Sequence, residues 1–287
     1  MGRELHRAGR PDTRRARCRT RGRGTCSMLL YLLLILGGVV VGTFGTLIGA
    51  GGGFILAPVL LLLYPHDTPQ TITSISLAVT FANAFSGSVA YGRMKRINYK
   101  YGLMFSGAAV PGAVLGAIAV RYVPRREFDL VFAIVMIAAA VLVFVKAPAE
   151  SDASELRPVS LSRARVAQGI LISVAVGFLS SLLGIGGGII HVPALAGILG
   201  FPVHVATATS HFILAFSAGA GTVAHVASGA FQHGIRRTIA LAVGVLIGAQ
   251  IGARMSTHVK GRLIIRALAV GLALVGVRLM FLFFTEA

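Results

Sequence analysis

Acid is scarce in this chain: nine Asp and Glu stand against 27 Lys and Arg over 287 residues, a formal net charge of +18. No carboxylate lies well inside a long apolar run; Glu127 and Asp129 mark the edge of one. That excludes carboxylate-based phosphotransfer within the apolar region and leaves histidine as the one candidate proton carrier there. Cysteine is confined to Cys18 and Cys26, both in the Arg-rich N-terminal stretch, so it defines neither a disulfide framework nor a metal site. There is no G-x-x-x-x-G-K-[ST] loop, which argues against direct ATP drive, and no G-x-S-x-G elbow for a serine hydrolase. Charged residues of both signs make up only 13% of the chain against 55% hydrophobic, and the mean hydropathy is +0.82. An ordinary soluble domain is therefore unlike this composition.

The basic excess resembles a nucleic-acid signature and is not read as one. Residues 1–27 hold nine Arg against Glu4 and Asp12, a net +7; the rest of the excess falls between apolar runs, where membrane proteins carry Lys and Arg. The leader has too little apolar content to fold alone, so residues 1–27 are expected to be disordered. Two readings stand: a cytoplasmic tail against anionic lipid, or an over-extended gene start with Met28 as the first residue.

Ten apolar stretches follow, at about 28–48, 53–64, 71–91, 102–122, 128–146, 166–185, 188–200, 205–228, 236–256 and 263–284. Eight approach or exceed the roughly 20 residues that cross a hydrocarbon core, whereas the second and seventh are short. The fold class expected is an all-α membrane protein of two repeated halves, 28–146 and 166–287, joined by a polar cytoplasmic linker at 147–165. Each half has four crossings and one short re-entrant segment in this reading. It places the basic loops around Arg93–Lys100 and Arg236–Arg237 on the cytoplasmic side with leader and linker. It also leaves Arg121, Arg125 and Arg126, and Lys260, Arg262 and Arg266, outside, a misfit. Gly112-x-x-x-Gly116 and Gly244-x-x-x-Gly248-x-x-x-Gly252 predict close helix packing within each half.

The strongest internal signal is a repeat. Gly49-Ala-Gly-Gly-Gly-Phe-Ile-Leu-Ala-Pro58 returns 135 residues later as Gly184-Ile-Gly-Gly-Gly-Ile-Ile-His-Val-Pro193. Thr73-Ser74 and Thr209-Ser210 follow the two copies. Paired glycine-broken short segments at matching positions of two halves point to a transporter's binding site. The glycine turns (Gly49, Gly51, Gly52, Gly53 and Gly184, Gly186, Gly187, Gly188) expose N–H groups, and the helices after them offer N-termini to an anion. Thr73, Ser74, Thr209 and Ser210 are read both as helix caps and as oxyanion donors. Asn83 and Ser86 are the polar residues at depth in the first half, and His191, His211, His225 and Gln250 in the second. Pro58 and Pro193 are expected to kink the short helices. His211, beside Thr209-Ser210, is the leading proton carrier and His225 the second; His66, His204, His233 and His258 read as loop residues. No metal site or cofactor is expected, because His211 and His225 lie about 21 Å apart along a helix.

Together these motifs resemble the TauE/SafE sulfite-exporter family over about residues 30–284. The resemblance implies a multi-pass plasma-membrane carrier for sulfite, sulfoacetate or related organosulfur anions, with the glycine motifs and Thr-Ser pairs at the site. The partners expected are a small anionic solute and the lipid bilayer, with homo-oligomerisation left open and no nucleic acid. The competing functions are a small-anion channel using the same helix ends, and a membrane-embedded enzyme pairing Ser210 with His225.

Overall fold

The computed structural model describes residues 13–145, 160–232, 234–256, 273, 276–278 and 280–281, with backbone alone at 13–27, 139, 142–145 and 232. Residues 1–12, most of the linker, His233, His258, Lys260, Arg262, Arg266 and most of the last expected crossing lie outside the described residues. Those that are described form helices and no strands: α1 Thr13–Ile48, α2 Gly53–Leu63, α3 Pro69–Arg93, α4 Tyr99–Ala119, α5 Arg125–Val145, α6 Arg163–Leu183, α7 Gly188–Pro193, α8 Val203–Ala227 and α9 Ile235–Met255. Single 3₁₀ turns follow α4 and α8, and a π turn, Ala194–Ile198, extends α7 past Pro193. Helix α1 takes in residues 13–27 of the leader, whose composition alone gave no reason to fold.

The helix starts follow from local chemistry. Thr68 caps α3 by accepting from the Thr71 N–H, with Pro69 in the first turn; Asn98 caps α4 and Ser162 caps α6 in the same way. Six of these helices are long and apolar enough to cross a membrane: Met28–Ile48 of α1, α3, Tyr99–Tyr122, α6, α8 and α9. Their outer faces stay apolar and exposed, as at Leu33, Leu36, Leu171, Val243 and Ile247, which suits contact with lipid. Helix α3 is the central one, with 67% of its apolar window buried against 22% for α1.

Two features of the packing correct the sequence reading. The glycine stripes join the halves rather than packing within each. On α9, Gly244 lies against Ile35 and Gly38 of α1, Gly248 against Val39 and Thr43, and Gly252 against Thr43. On α4, Gly112 lies against Val174 of α6 and Gly116 against Phe178 and Leu182. Both pairs run parallel, with backbone meeting backbone where a side chain would intrude. Close approach was predicted by small residues four apart; they carry no label for the partner.

The second correction concerns direction. Gln70 Nε2, at the start of α3, donates to Ser228 Oγ just past the end of α8 (3.3 Å). Leu77 approaches Gly221, and Gly87 approaches His211. Helices α3 and α8 therefore cross antiparallel, and the loops that follow them, 94–98 and 228–234, lie at opposite ends of the bundle. The two basic loops cannot share one face of a membrane that α3 and α8 both span. Both are basic, so charge counting could not separate them.

Candidate functional site

The two glycine turns meet in the middle of the bundle. At the end of α1 the Gly49 N–H donates to Thr46 O (3.0 Å), and the N–H groups of Ala50 and Gly51 both donate to Gly45 O (2.9 and 3.1 Å). This closure needs the left-handed backbone at Gly49 (φ 81°), and Gly51 and Gly52 share that conformation. Gly184 (φ 68°) ends α6 likewise, and Ser180 Oγ accepts from the Gly187 N–H at 2.7 Å. The turns then pack on each other. A Cβ on Gly188 would strike the Gly49 carbonyl and Ala50, and one on Gly53 would lie 2.8 Å from Ile185 O.

Each turn also rests on the central helix of the opposite half. Gly184 lies on Thr73 of α3, and Gly49 on Thr207 of α8. Ser76 Oγ donates to Gly184 O (2.6 Å), and Ser210 Oγ donates to Gly49 O (3.3 Å). The structural counterparts are thus Thr73 with Thr207 and Ser76 with Ser210, rather than the two Thr-Ser pairs. Nor do those pairs cap helices. Thr73 and Ser74 sit in the second turn of α3, their hydroxyls donating to Gln70 O (3.1 Å) and Thr71 O (2.8 Å). Thr209 and Ser210 lie two turns into α8, where Thr209 Oγ1 accepts from the Asn98 N–H at 3.1 Å. A two-residue match misled because helix register, set by contacts across the halves, is invisible in it.

Beside the crossing lies a buried polar pocket. Thr46 Oγ1 donates to Asn83 Oδ1 (3.2 Å) and lies 3.3 Å from His211 Nε2. With its one proton directed to Asn83, the hydroxyl can accept from the ring only in the form that carries a proton on Nε2. Tyr91 donates to Thr46 O at 2.7 Å and sets its ring edge-on to His211, centroids 5.8 Å apart. Gly87 makes room: its missing Cβ would fall 2.6 Å from His211 Nε2. Asn83 Nδ2 is buried and without a partner.

Thr80, like Thr46 and Tyr91, is a residue the sequence reading missed. It sits at the middle of α3, fully buried, its Cγ2 3.0 Å from a Cβ on Gly51 and 2.6 Å from one on Gly186. Its hydroxyl has no hydrogen-bond partner. A signal existed, since Thr73, Ser76, Thr80, Asn83 and Gly87 recur at three- and four-residue steps and so share one face of α3.

The other candidates lie apart. His191 Nε2 is 3.3 Å from Ser173 Oγ, between α7 and α6. His225 is buried in the last turn of α8 and does not join His211; His204 lies in the first turn of α8 rather than in a loop. Gln250 donates to Ser86 O and Oγ, both at 2.9 Å, a bond between helices. Pro58 lies inside α2, and Pro193 where α7 widens into its π turn.

The crossing holds donors and no fixed charge. Gly53 and Phe54 precede the first bond of α2, Ile55 N–H to Gly52 O; Gly188 and Ile189 precede that of α7, Ile190 N–H to Gly187 O. These leading N–H groups have no partner one turn back and carry the positive end of the helix dipole. With the unpartnered Thr80 hydroxyl and Asn83 Nδ2, they suit a small solute with acceptor oxygens.

Broken short helices meeting at depth, between long apolar spans, define a multi-pass membrane transport protein. Residues 34–279 match the family described as Sulfite exporter TauE/SafE, and the chain belongs to that family. It is 32% identical over 271 residues to the probable membrane transporter protein YunE of Bacillus subtilis, covering 88% of this chain and 97% of that one. A probable membrane transporter protein of Methanocaldococcus jannaschii is 29% identical over 204 residues, 69% of this chain and 73% of its own. Sulfite exporter TauE/SafE family protein 3 of Arabidopsis thaliana is 38% identical over 87 residues, 29% of this chain and 17% of its own. No solved structure matches the chain.

Proposed function

We propose that the protein is a secondary carrier of the plasma membrane that exports a small oxyanion, of the sulfite, sulfonate or carboxylate class, through the crossing of its two glycine turns. One observation carries the reading: two copies of a motif 135 residues apart in sequence fold into contact, each starting a short helix at the centre of the bundle. The names borne by the family and by the Arabidopsis relative support sulfite as the first solute to try. The site residues proposed are Gly49, Gly51–Gly53, Gly184 and Gly186–Gly188, with Thr80, Thr46, Asn83 and His211 beside them. Thr73, Ser74, Thr209 and Ser210 act by holding the turns and helices. Of the two histidines proposed as proton carriers, His211 adjoins the crossing and is preferred.

The antiparallel α3–α8 pair favours inverted halves, in which α2 and α7 return the chain and ten segments cross in place of eight. The positive-inside bias then orients the molecule. With residues 13–27 left aside, the described segments at the α3 C-terminal end (93–100, 160–165 and 254–256) carry seven Lys and Arg; those at the other end (120–126, 228–232 and 234–237) carry five. The first end is assigned to the cytoplasm.

The test is uptake into proteoliposomes of labelled sulfite, sulfoacetate and acetate. The reading expects saturable uptake of at least one, abolished by Gly188→Ala at equal protein density. Uptake that never saturates would make the protein a channel, and none of the three moving would overturn the oxyanion reading.

A further inference from the structure

The pocket at Thr46 has a counterpart across the crossing. Residues 134 positions apart hold corresponding places: Leu77 and His211, Asn83 and Ser217, Gly87 and Gly221, Tyr91 and His225. The correspondence is one of contacts. A Cβ on Gly87 would meet His211 Nε2 at 2.6 Å and Thr46 Cγ2 at 3.1 Å; one on Gly221 would meet Leu77 Cδ2 at 2.5 Å and Ser181 Oγ at 2.6 Å. His225 stands one turn beyond Gly221 on the same face of α8, as Tyr91 stands beyond Gly87 on α3.

The two pockets differ in how their polar groups are satisfied. In the first, Thr46 links Asn83 to His211, and Tyr91 donates to the Thr46 carbonyl. In the second, Ser181 Oγ and both ring nitrogens of His225 lack a hydrogen-bond partner, although both residues are fully buried. Leaving such groups unpaired is costly, and a cluster of them fits a place where a passing ligand supplies the missing bonds. The hydroxyl and one ring N–H offer two donors; the absent side chain of Gly221 lets Leu77 and Ser181 close on α8, and Leu77 keeps that wall apolar.

We infer that Ser181, Gly221 and His225 form a second binding station for the same small oxyanion, on the Ser228 side of the glycine crossing. The inference rests on the transport reading above. The solute then passes between two pockets related by the repeat, with Thr80 between them: a hydrogen-bonded one at Thr46 and an unsaturated one at His225.

Equilibrium dialysis of the purified full chain against labelled sulfite decides the matter. The wild type is expected to bind two equivalents. Ser181→Ala and His225→Leu should each bind one, with the remaining Kd within threefold of its wild-type value. A single wild-type equivalent with sulfite flux intact overturns the second station and leaves the transport reading standing; so do two equivalents retained in both variants. No bound sulfite together with no flux overturns both. The wild-type stoichiometry decides even where a variant fails to fold.

Discussion

At the scale of single residues, the turns meet through glycines whose missing side chains admit backbone rather than flexible neighbours. Gly187 faces the Val176 side chain, which can yield, whereas Gly188 faces the Gly49 carbonyl and Ala50. Gly188→Ala should therefore abolish sulfite uptake and lower the thermal midpoint by several degrees, while Gly187→Ala keeps measurable uptake. Equal uptake in the two variants, at equal abundance, would show that contact between the turns is not needed. Thr80 permits a sharper separation. Its hydroxyl is buried and unpaired, so the isosteric Thr80→Val should leave stability unchanged or raise it by about 1 kcal/mol, because an unsatisfied polar group is removed. If that hydroxyl meets the solute, the same variant should lower uptake at least tenfold and Thr80→Ser should restore it. A Thr80→Val protein that is stable and transports normally would reduce Thr80 to packing.

At the scale of elements, the long apolar runs with Pro, Asn, Gly and Arg at their borders made most helices readable. Expected spans at 71–91 and 236–256 became Pro69–Arg93 and Ile235–Met255. The glycine turns were readable for the same reason, since four clustered glycines cannot continue a helix. Partnership and direction were not readable. Gly-x-x-x-Gly says that something comes close and not what, and two basic loops look alike whichever face they occupy. Thr46 and Tyr91 were missed because a lone hydroxyl in an apolar helix gains meaning only from what packs against it, whereas Thr80 shares a readable polar face of α3 with Thr73, Ser76 and Asn83. The antiparallel α3–α8 pair gives a direct test. In a background lacking Cys18 and Cys26, cysteines replacing Met94 and Ala230 should react with an impermeant maleimide from opposite faces, Met94→Cys from the cytoplasm. Labelling from the same face would restore eight crossings and overturn the inverted arrangement.

At the scale of the whole molecule, orientation and drive come together. Helix α1 runs parallel to α9, so its start lies with Arg236 and Arg237 at the end assigned to the outside. The six Arg of residues 13–27 would raise that end from five to eleven, above the seven opposite. Translation from Met28 is therefore expected to keep full transport and a single orientation, read by the Met94→Cys label; dual labelling or loss of uptake would give the leader a role in insertion. Drive needs no carboxylate, because an anion leaving an inside-negative cell gains about 2.3 kcal/mol per charge per 100 mV, roughly a fifty-fold gradient. The central claim is that such an anion moves through the crossing of the glycine turns. Its most direct test is efflux of labelled sulfite from proteoliposomes held at an inside-negative potassium diffusion potential. Efflux is expected to be saturable, to quicken with the potential, and to disappear in Gly188→Ala; potential-independent efflux, or efflux undiminished in Gly188→Ala, would contradict it.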